Sequence, residues 1–271
     1  MLPYDFPLYF AGLPFRAHQV GRKLRWLLGG GEIRCVFRDV YVDSRVPDSI
    51  ELRAAVVALL LGPDRIASGK TAAWVHGIAV TALGPTEQLP LESTSEASGT
   101  VEIAGLKVAT PVTTAVELAS RLPRPFALSS LDAMLRSGIV RLADLRTAVA
   151  AYDGRPGIRQ ARQIVSHADH RAESPGESWL RLRLLDAGFG RPELQFRVKG
   201  PHRDYRIDVA YPDPVDDGRR LGLEYDSDRW HSRPPAKWPA TKHAETNWKP
   251  LAGGSSPSAG QTSGAATPPS N

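Results

Sequence analysis

Residues 173–188, ESPGESWLRLRLLDAG, decide the fold of the second half of the chain. Large apolar side chains recur at helical spacing and stop at Gly188, which predicts a helix over 176–187. Turns rich in glycine, proline and aspartate then separate three extended runs, at 194–198, 205–211 and 221–225. One helix followed by three strands predicts a small α/β core.

The chain upstream of this core contains both helix-like and strand-like patterns. Helical spacing occurs at 49–61, at 68–75 and repeatedly between 113 and 151, whereas residues 80–112 are strand-like and broken by glycine and proline. The sequence therefore predicts an α+β domain over 1–150. A helical linker over 151–171 would join it to the α/β core.

The first residues of that domain carry a basic helix. Residues 18–28 mix Arg and Lys with leucine and valine at helical spacing, three glycines follow, and residues 33–42 alternate as a strand does. One interpretation of 10–48 is a winged helix, and the other is an amphipathic helix packed on a hairpin. In a winged helix the basic side chains would contact DNA phosphates, whereas in the helix-on-hairpin interpretation they form a solvated face. These basic residues are Arg16, Arg22, Lys23, Arg25 and Arg34.

The composition excludes several classes of protein. The 271 residues carry a formal net charge of +5 and are 42% hydrophobic, which is typical of a globular chain and permits a polyanionic partner such as DNA. A single cysteine, Cys35, rules out an internal disulfide and fits a reducing, cytoplasmic setting. The longest apolar stretch, 54–61, is far shorter than the roughly 20 residues that a bilayer requires, so we expect no membrane segment.

Three acidic residues cluster at the ends of the last two predicted strands. Asp208 lies within one strand, and Glu224 and Asp226 share a face of the next. Carboxylates so placed are ligands that Mg²⁺ prefers, and such an ion can activate water for phosphodiester hydrolysis. The alternative is structural: Asp208 pairs with a neighbouring arginine, Arg203 or Arg206, and the other two acids are edge-strand charges.

These motifs together resemble a known family. ESPGESWLRL (173–182), RIDVAYP (206–212) and LEYD (223–226) with Trp230-His231 resemble endonuclease-domain proteins related to very-short-patch repair (Vsr) nucleases, in the PD-(D/E)XK superfamily. Upstream, three stretches are similar to the AbiEi-like antitoxin-type region that often precedes that domain: FRDVYV (37–42), SGKTAAWVHG (68–77) and TPVTTA (110–115). The resemblance implies a restriction-endonuclease-like α/β core over 172–231.

The resemblance also implies roles for single residues. Asp208 would be the central metal ligand, with Glu224 and Asp226 at the Glu-x-Lys position, where Asp replaces Lys. Glu177 matches the helical acid of the superfamily, and it either holds metal-bound water or caps its own helix. His231 would be a general base or a phosphate contact, or simply a surface residue. The implied cofactor is Mg²⁺ and the implied partner is DNA.

The tail over 232–271 departs from the resembled family. It is rich in glycine, serine and proline, and residues 251–271 carry no charge, so we expect disorder. Reading the back-translated codons of 236–256 one base out of frame recovers, with permitted wobble bases, EMAGDEARRNELEAAGWRVI, a charged helix followed by a strand. We therefore predict a frame-shifted C-terminus that lacks the last core helix and strand.

Two functions follow from this sequence. The main prediction is a metal-dependent DNA endonuclease, impaired by the loss of that helix and strand. The alternative is a non-catalytic DNA-binding regulator or antitoxin-like protein that retains a degenerate nuclease fold. A third possibility is an interaction module in which the acids are structural. The oligomeric state is left open.

Overall fold

The computed structural model describes residues 12–84, 89–152, 154–200, 203–214 and 218–225. Within these ranges the chain forms three small sheets and a cluster of helices. The mixture of helices and strands that the sequence predicts is confirmed. None of the described helices combines the length and the apolar character needed to cross a membrane. The tail, together with Asp226 and His231, lies outside the described residues.

The N-terminal unit is a helix pair on an antiparallel sheet of order β1-β3-β2. Gly21, at φ 55°, separates the two helices, so the single helix predicted over 18–28 is wrong in this detail. A small buried cluster of Phe15, Leu27 and Ile33 holds the unit together. Its elements are β1 (Phe15–Arg16), α1 (Ala17–Val20), α2 (Lys23–Gly29), β2 (Ile33–Phe37) and β3 (Val40–Asp43).

The central region packs helices on a four-stranded sheet of order β5-β4-β7-β6. Ser49 begins the first helix because its hydroxyl accepts a hydrogen bond from the backbone N–H of Leu52 at 3.1 Å. The elements of this half are α3 (Ile50–Ala58), β4 (Ile66–Ala67), α4 (Gly69–Val75), α5 (Val80–Leu83), β5 (Ser93–Thr94), β6 (Thr100–Ile103) and β7 (Leu106–Ala109).

Four further helices complete the same core: α6 (Pro111–Arg121), α7 (Arg124–Arg136), α8 (Leu142–Ala151) and α9 (Ile158–His167). The residues predicted to form a linker include α9. Its apolar face is buried in the main hydrophobic cluster through Ile158, Ala161 and Ile164. Helix α9 is therefore an integral part of the central core.

The C-terminal unit is α10 (Pro175–Asp186) on an antiparallel sheet of β8 (Glu193–Lys199), β9 (Asp204–Tyr211) and β10 (Leu221–Leu223). The predicted order of one helix and three strands is confirmed, although β10 ends one residue before Glu224. Leu180, Leu194 and Val209 form the buried contact between helix and sheet. A restriction-endonuclease-like core remains a prediction.

Candidate nucleic-acid interface and acidic site

The basic side chains of the N-terminal unit lie on the solvent face of α2. Arg22, Lys23, Arg25 and Trp26 are exposed, whereas the side chain of Leu27, on the same helix, is buried. The sequence contains no acidic residue between positions 6 and 31. This helix face therefore carries positive charge with no compensating carboxylate on its own element, the electrostatic condition for binding phosphates.

The two other predicted phosphate contacts have partners within the protein. Arg16 pairs with Asp39, with 3.2 Å between Nη2 and Oδ2, and Arg34 donates to the carbonyl of Val46 at 2.8 Å. These contacts link β1 and β2 to the loops around the hairpin. Of the five candidate basic residues, the three at the start of α2 (Arg22, Lys23 and Arg25) are the ones whose side chains are exposed rather than half-buried.

The tip of the β2–β3 hairpin is docked on the central region. The ring of Phe37 lies 5.1 Å from that of Trp74, and Phe37 belongs to the main hydrophobic cluster. Arg53 fixes Trp74 from the other side, because its guanidinium lies 5.2 Å from the ring and donates to the Trp74 carbonyl at 2.8 Å. The hairpin is therefore held against the central region through buried apolar contacts, because Val40 and Val42 of β3 belong to the same main cluster as Phe37.

A groove of about 910 Å³ runs beside this contact. Its charged lining is mostly basic, with Arg16, Arg38 and Lys70 against the single carboxylate of Asp39. Arg38 occupies the hairpin turn at φ 50°, an uncommon conformation for a residue with a side chain. The charged lining of this groove therefore has a net positive charge.

The acidic site predicted from the sequence centres on Glu177, which is buried at the start of α10. Its carboxylate accepts from the backbone N–H of Glu173 at 2.9 Å and from Nε2 of Gln195 at 2.9 Å. Burial raises the pKa of Glu177, hydrogen bonds to Glu173 and Ser174 lower it, and the charge of Asp208 raises it again. The Glu177 carboxylate thus binds the backbone just before the helix, and the negative charge of Asp208 acts on it.

The structure brings Asp208 next to the end of β10. The backbone N–H of Tyr225 donates to the Asp208 carboxylate at 3.1 Å, and the register pairs Val209 with Leu223. Glu224, the next residue, is exposed beside this contact. Arg206, one of the two arginines predicted as ion-pair partners of Asp208, pairs with Glu173 at 2.7 Å.

A metal site formed by Asp208, Glu224 and Asp226 remains a prediction. Within the described residues, no three His, Cys, Asp or Glu side chains are arranged to hold a metal ion. Asp226 and His231 fall outside those residues. The two described acids offer oxygen ligands, which is the donor type that Mg²⁺ takes.

Sequence reasoning missed one residue of this site, Gln195. It lies opposite Asp208 in the β8–β9 register, but its φ of 55° interrupts the ladder there. Its Oε1 atom is buried without a hydrogen-bond partner in the described part of the chain. No sequence signal marks it, because its position depends on how β8 pairs with β9.

A buried polar contact joins the central helices to the C-terminal unit. Asp132 on α7 and Arg181 on α10 form an ion pair with both side chains almost fully buried. The Asp132 carboxylate also accepts from the Ser178 hydroxyl at 2.6 Å and from the Asp169 N–H at 2.8 Å. This network fixes α10, and with it Glu177, relative to the central core.

Comparison with known proteins shows which proteins this chain is similar to. Residues 88–167 match the model of the AbiEi antitoxin C-terminal domain. Two proteins of Mycobacterium tuberculosis, Uncharacterized protein MT2308 (strain CDC 1551 / Oshkosh) and Uncharacterized protein Rv2248 (strain H37Rv), are each 35% identical over 217 residues, 76% of this chain and 77% of theirs. The chain belongs to the family of these two proteins. No solved structure matches it.

The family match confirms the AbiEi-like part of the resemblance. It covers β5 to β7 and α6 to α9, so it extends past the boundary predicted at residue 150 and includes α9. The Vsr-like part of the resemblance remains a prediction. Of the two predicted functions, the match favours the antitoxin-like regulator over the endonuclease.

Proposed function

We propose that this protein is an antitoxin-like regulator that binds duplex DNA through its N-terminal unit. The observation that carries the proposal is the exposed, acid-free basic face of α2 within a helix–turn–helix followed by a β-hairpin. The AbiEi-like region over 88–167 supports the antitoxin-like part. The protein would act in the cytoplasm, where its DNA target lies.

The order of elements supports duplex DNA as the ligand. Two residues, Gly21 and Arg22, separate α1 from α2, and the hairpin of β2 and β3 follows. In helix–turn–helix proteins the second helix lies in the major groove and reads base edges, while neighbouring basic side chains bind phosphates. Helix α2 is the second helix here, and Lys23 and Arg25 on it, together with Arg22 at its N-cap, are exposed. This arrangement favours the winged-helix interpretation of 10–48.

A triple substitution of Arg22, Lys23 and Arg25 by alanine is expected to weaken DNA binding strongly. Each phosphate contact contributes about −0.9 to the slope of log K against log salt, so the slope should become less negative by roughly 2–3. Fluorescence anisotropy with a labelled duplex from the promoter of its own gene, titrated at several salt concentrations, measures both quantities.

The matched control for this experiment removes the same charge elsewhere. Lys107, Arg146 and Arg159 are exposed basic residues of the central region, outside the N-terminal unit. Their triple replacement by alanine should change the salt slope much less. Equal losses in both variants, or no binding by the wild-type chain, would refute the assignment of the interface to α2.

A second candidate function, Mg²⁺-dependent DNA hydrolysis, is favoured by one local observation. Gln195 donates a hydrogen bond to Glu177 and lies opposite Asp208 in the β8–β9 register. Its backbone holds a φ of 55°, and such strain often accompanies functional sites. Mg²⁺ would bind Asp208 and Glu224 and supply an activated water. The buried Oε1 of Gln195 is a further oxygen that fits such an ion.

Nicking of supercoiled plasmid tests this second candidate. We expect slow nicking that requires Mg²⁺, stops with EDTA and disappears in Asp208→Ala, because that change removes the central carboxylate. Asp204→Ala, at the other end of β9, is the matched control and should retain the activity. A chain that binds DNA but shows no Mg²⁺-dependent nicking would leave the regulator as the better function.

A further inference from the structure

Trp26 stands out among the tryptophans of the described residues. Its side chain is 59% exposed, whereas Trp74 is buried and Trp179 is half-buried. Positions 22, 25, 26 and 29 follow the i, i+3, i+4, i+7 spacing of one helix face. At about 100° per residue, Trp26 lies between Arg22 and Lys23 around the helix axis, with Arg25 on the far side of Arg22. A large apolar ring therefore sits in the middle of the basic face of α2.

The surroundings of Trp26 leave room for a close ligand. Gly29 follows it on the same face, and a side chain at that position would meet no atom within 4 Å. The helix can thus approach a groove more closely than a helix with bulky side chains at its end. The end of α2 at Gly29 carries no side chain, and the flanking arginines are positively charged. Together they fit an anionic groove that has an apolar group at its floor.

We propose that Trp26 is a base-reading residue that packs against the 5-methyl group of a thymine in the major groove. This inference rests on the proposed DNA-binding function. The thymine methyl is the apolar group that base pairs present in the major groove, and apolar side chains recognise it there. An α-helix about 10–12 Å across fits the major groove, whereas the minor groove is only about 6 Å wide.

The charge around Trp26 selects duplex DNA as the occupant. Arg22, Lys23 and Arg25 flank the ring, and a helix lying in the major groove has phosphates along both of its edges. The arginines then position the helix without regard to sequence, and Trp26 provides a preference for an A·T pair. Removing Trp26 should therefore change sequence preference more than salt dependence.

Deoxyuridine substitution tests this assignment, because it removes only the thymine methyl. The full-length chain is titrated with its tightest-binding promoter duplex and with duplexes in which each thymine in turn is replaced. We expect one replacement to weaken wild-type binding about fourfold, the value of one buried methyl group. In Trp26→Ala that penalty should vanish while the salt slope stays at the wild-type value. Trp26→Phe should retain most of the penalty.

The outcomes separate this inference from the proposed function. If the wild-type chain binds no duplex, both fail. If duplex binding is normal but every deoxyuridine penalty is the same in Trp26→Ala as in the wild type, or no penalty exists, only the role of Trp26 is overturned. Tighter binding of single-stranded DNA that depends on Trp26 would also overturn it, in favour of stacking on unpaired bases. Thermal melting of each variant checks that an exposed substitution has left the fold intact.

Discussion

Asp132→Ala is expected to lower the free energy of unfolding by about 3–5 kcal/mol, because it leaves the buried guanidinium of Arg181 without its carboxylate. The cost is high since Arg181 is 1% exposed and water cannot replace the lost partner. The Ser178 hydroxyl and the Asp169 N–H lose their acceptor in the same step. Urea denaturation followed by circular dichroism measures the change.

Asp144→Ala is the matched control for this substitution. Asp144 also pairs with an arginine, Arg141 at 2.9 Å, but that pair lies at the surface of α8, where water replaces the lost contact. Its removal should leave the denaturation midpoint almost unchanged. Similar midpoints for the two variants would show that Asp132 and Arg181 do not join the C-terminal unit to the core.

The double variant Asp132→Leu with Arg181→Met removes both charges together. It therefore separates the cost of losing the ion pair from the cost of leaving one buried charge unpaired. Replacing a buried ion pair by apolar residues of similar size is often neutral or stabilising. We therefore expect the double variant to recover much of the stability that Asp132→Ala loses. A double variant as unstable as the single one would indicate that the hydrogen bonds to Ser178 and Asp169, rather than the unpaired charge, dominate.

The local elements were predictable because their signals are local. The apolar spacing of 49–61 and the Ser174-Pro175 start of α10 need only nearby residues, and both correspond to helices in the structure. The break at Gly21 was not predicted, because a single glycine inside a helical pattern is compatible with either a kink or a continuous helix. Strand order also could not be read from the sequence, since it depends on contacts between distant residues.

The candidate sites show the same limit. The basic residues of α2 are close in sequence, and their shared exposed face follows from helical spacing alone. In contrast, Asp132 and Arg181 are 49 positions apart, and nothing in either local pattern indicates that they meet. Gln195 is found only through the register of β8 on β9. Residues that belong to one element were therefore predictable, and residues that depend on packing between elements were not.

The N-terminal unit has too small a core to be independent of the rest. Its own buried cluster has three residues, whereas Phe37, Val40 and Val42 of its hairpin belong to the main cluster. A unit that buries so little apolar surface cannot offset the entropy cost of ordering its chain. Its stability, and with it the proposed DNA-binding face of α2, should depend on the contacts of its hairpin with the main cluster, among them the contact between Phe37 and Trp74.

Phe37→Ala is therefore expected to open the N-terminal unit while the central core stays folded. Deleting a buried phenylalanine typically costs about 3–5 kcal/mol, and here the cost falls on the largest apolar side chain that joins residues 15–43 to the main cluster. Hydrogen exchange measured by mass spectrometry should show protection lost over 15–43 and retained over 111–167. DNA affinity should fall together with that protection.

Phe37→Leu and Phe15→Ala make this prediction specific. Leucine retains most of the apolar volume against Trp74, so Phe37→Leu should keep protection and DNA binding close to the wild-type values. Phe15→Ala removes a buried ring from the small cluster itself and should open the same residues by another route. If Phe37→Ala instead lowers protection equally across the central helices, Phe37 is an ordinary core residue. The N-terminal unit is then not a separately opening part of the chain.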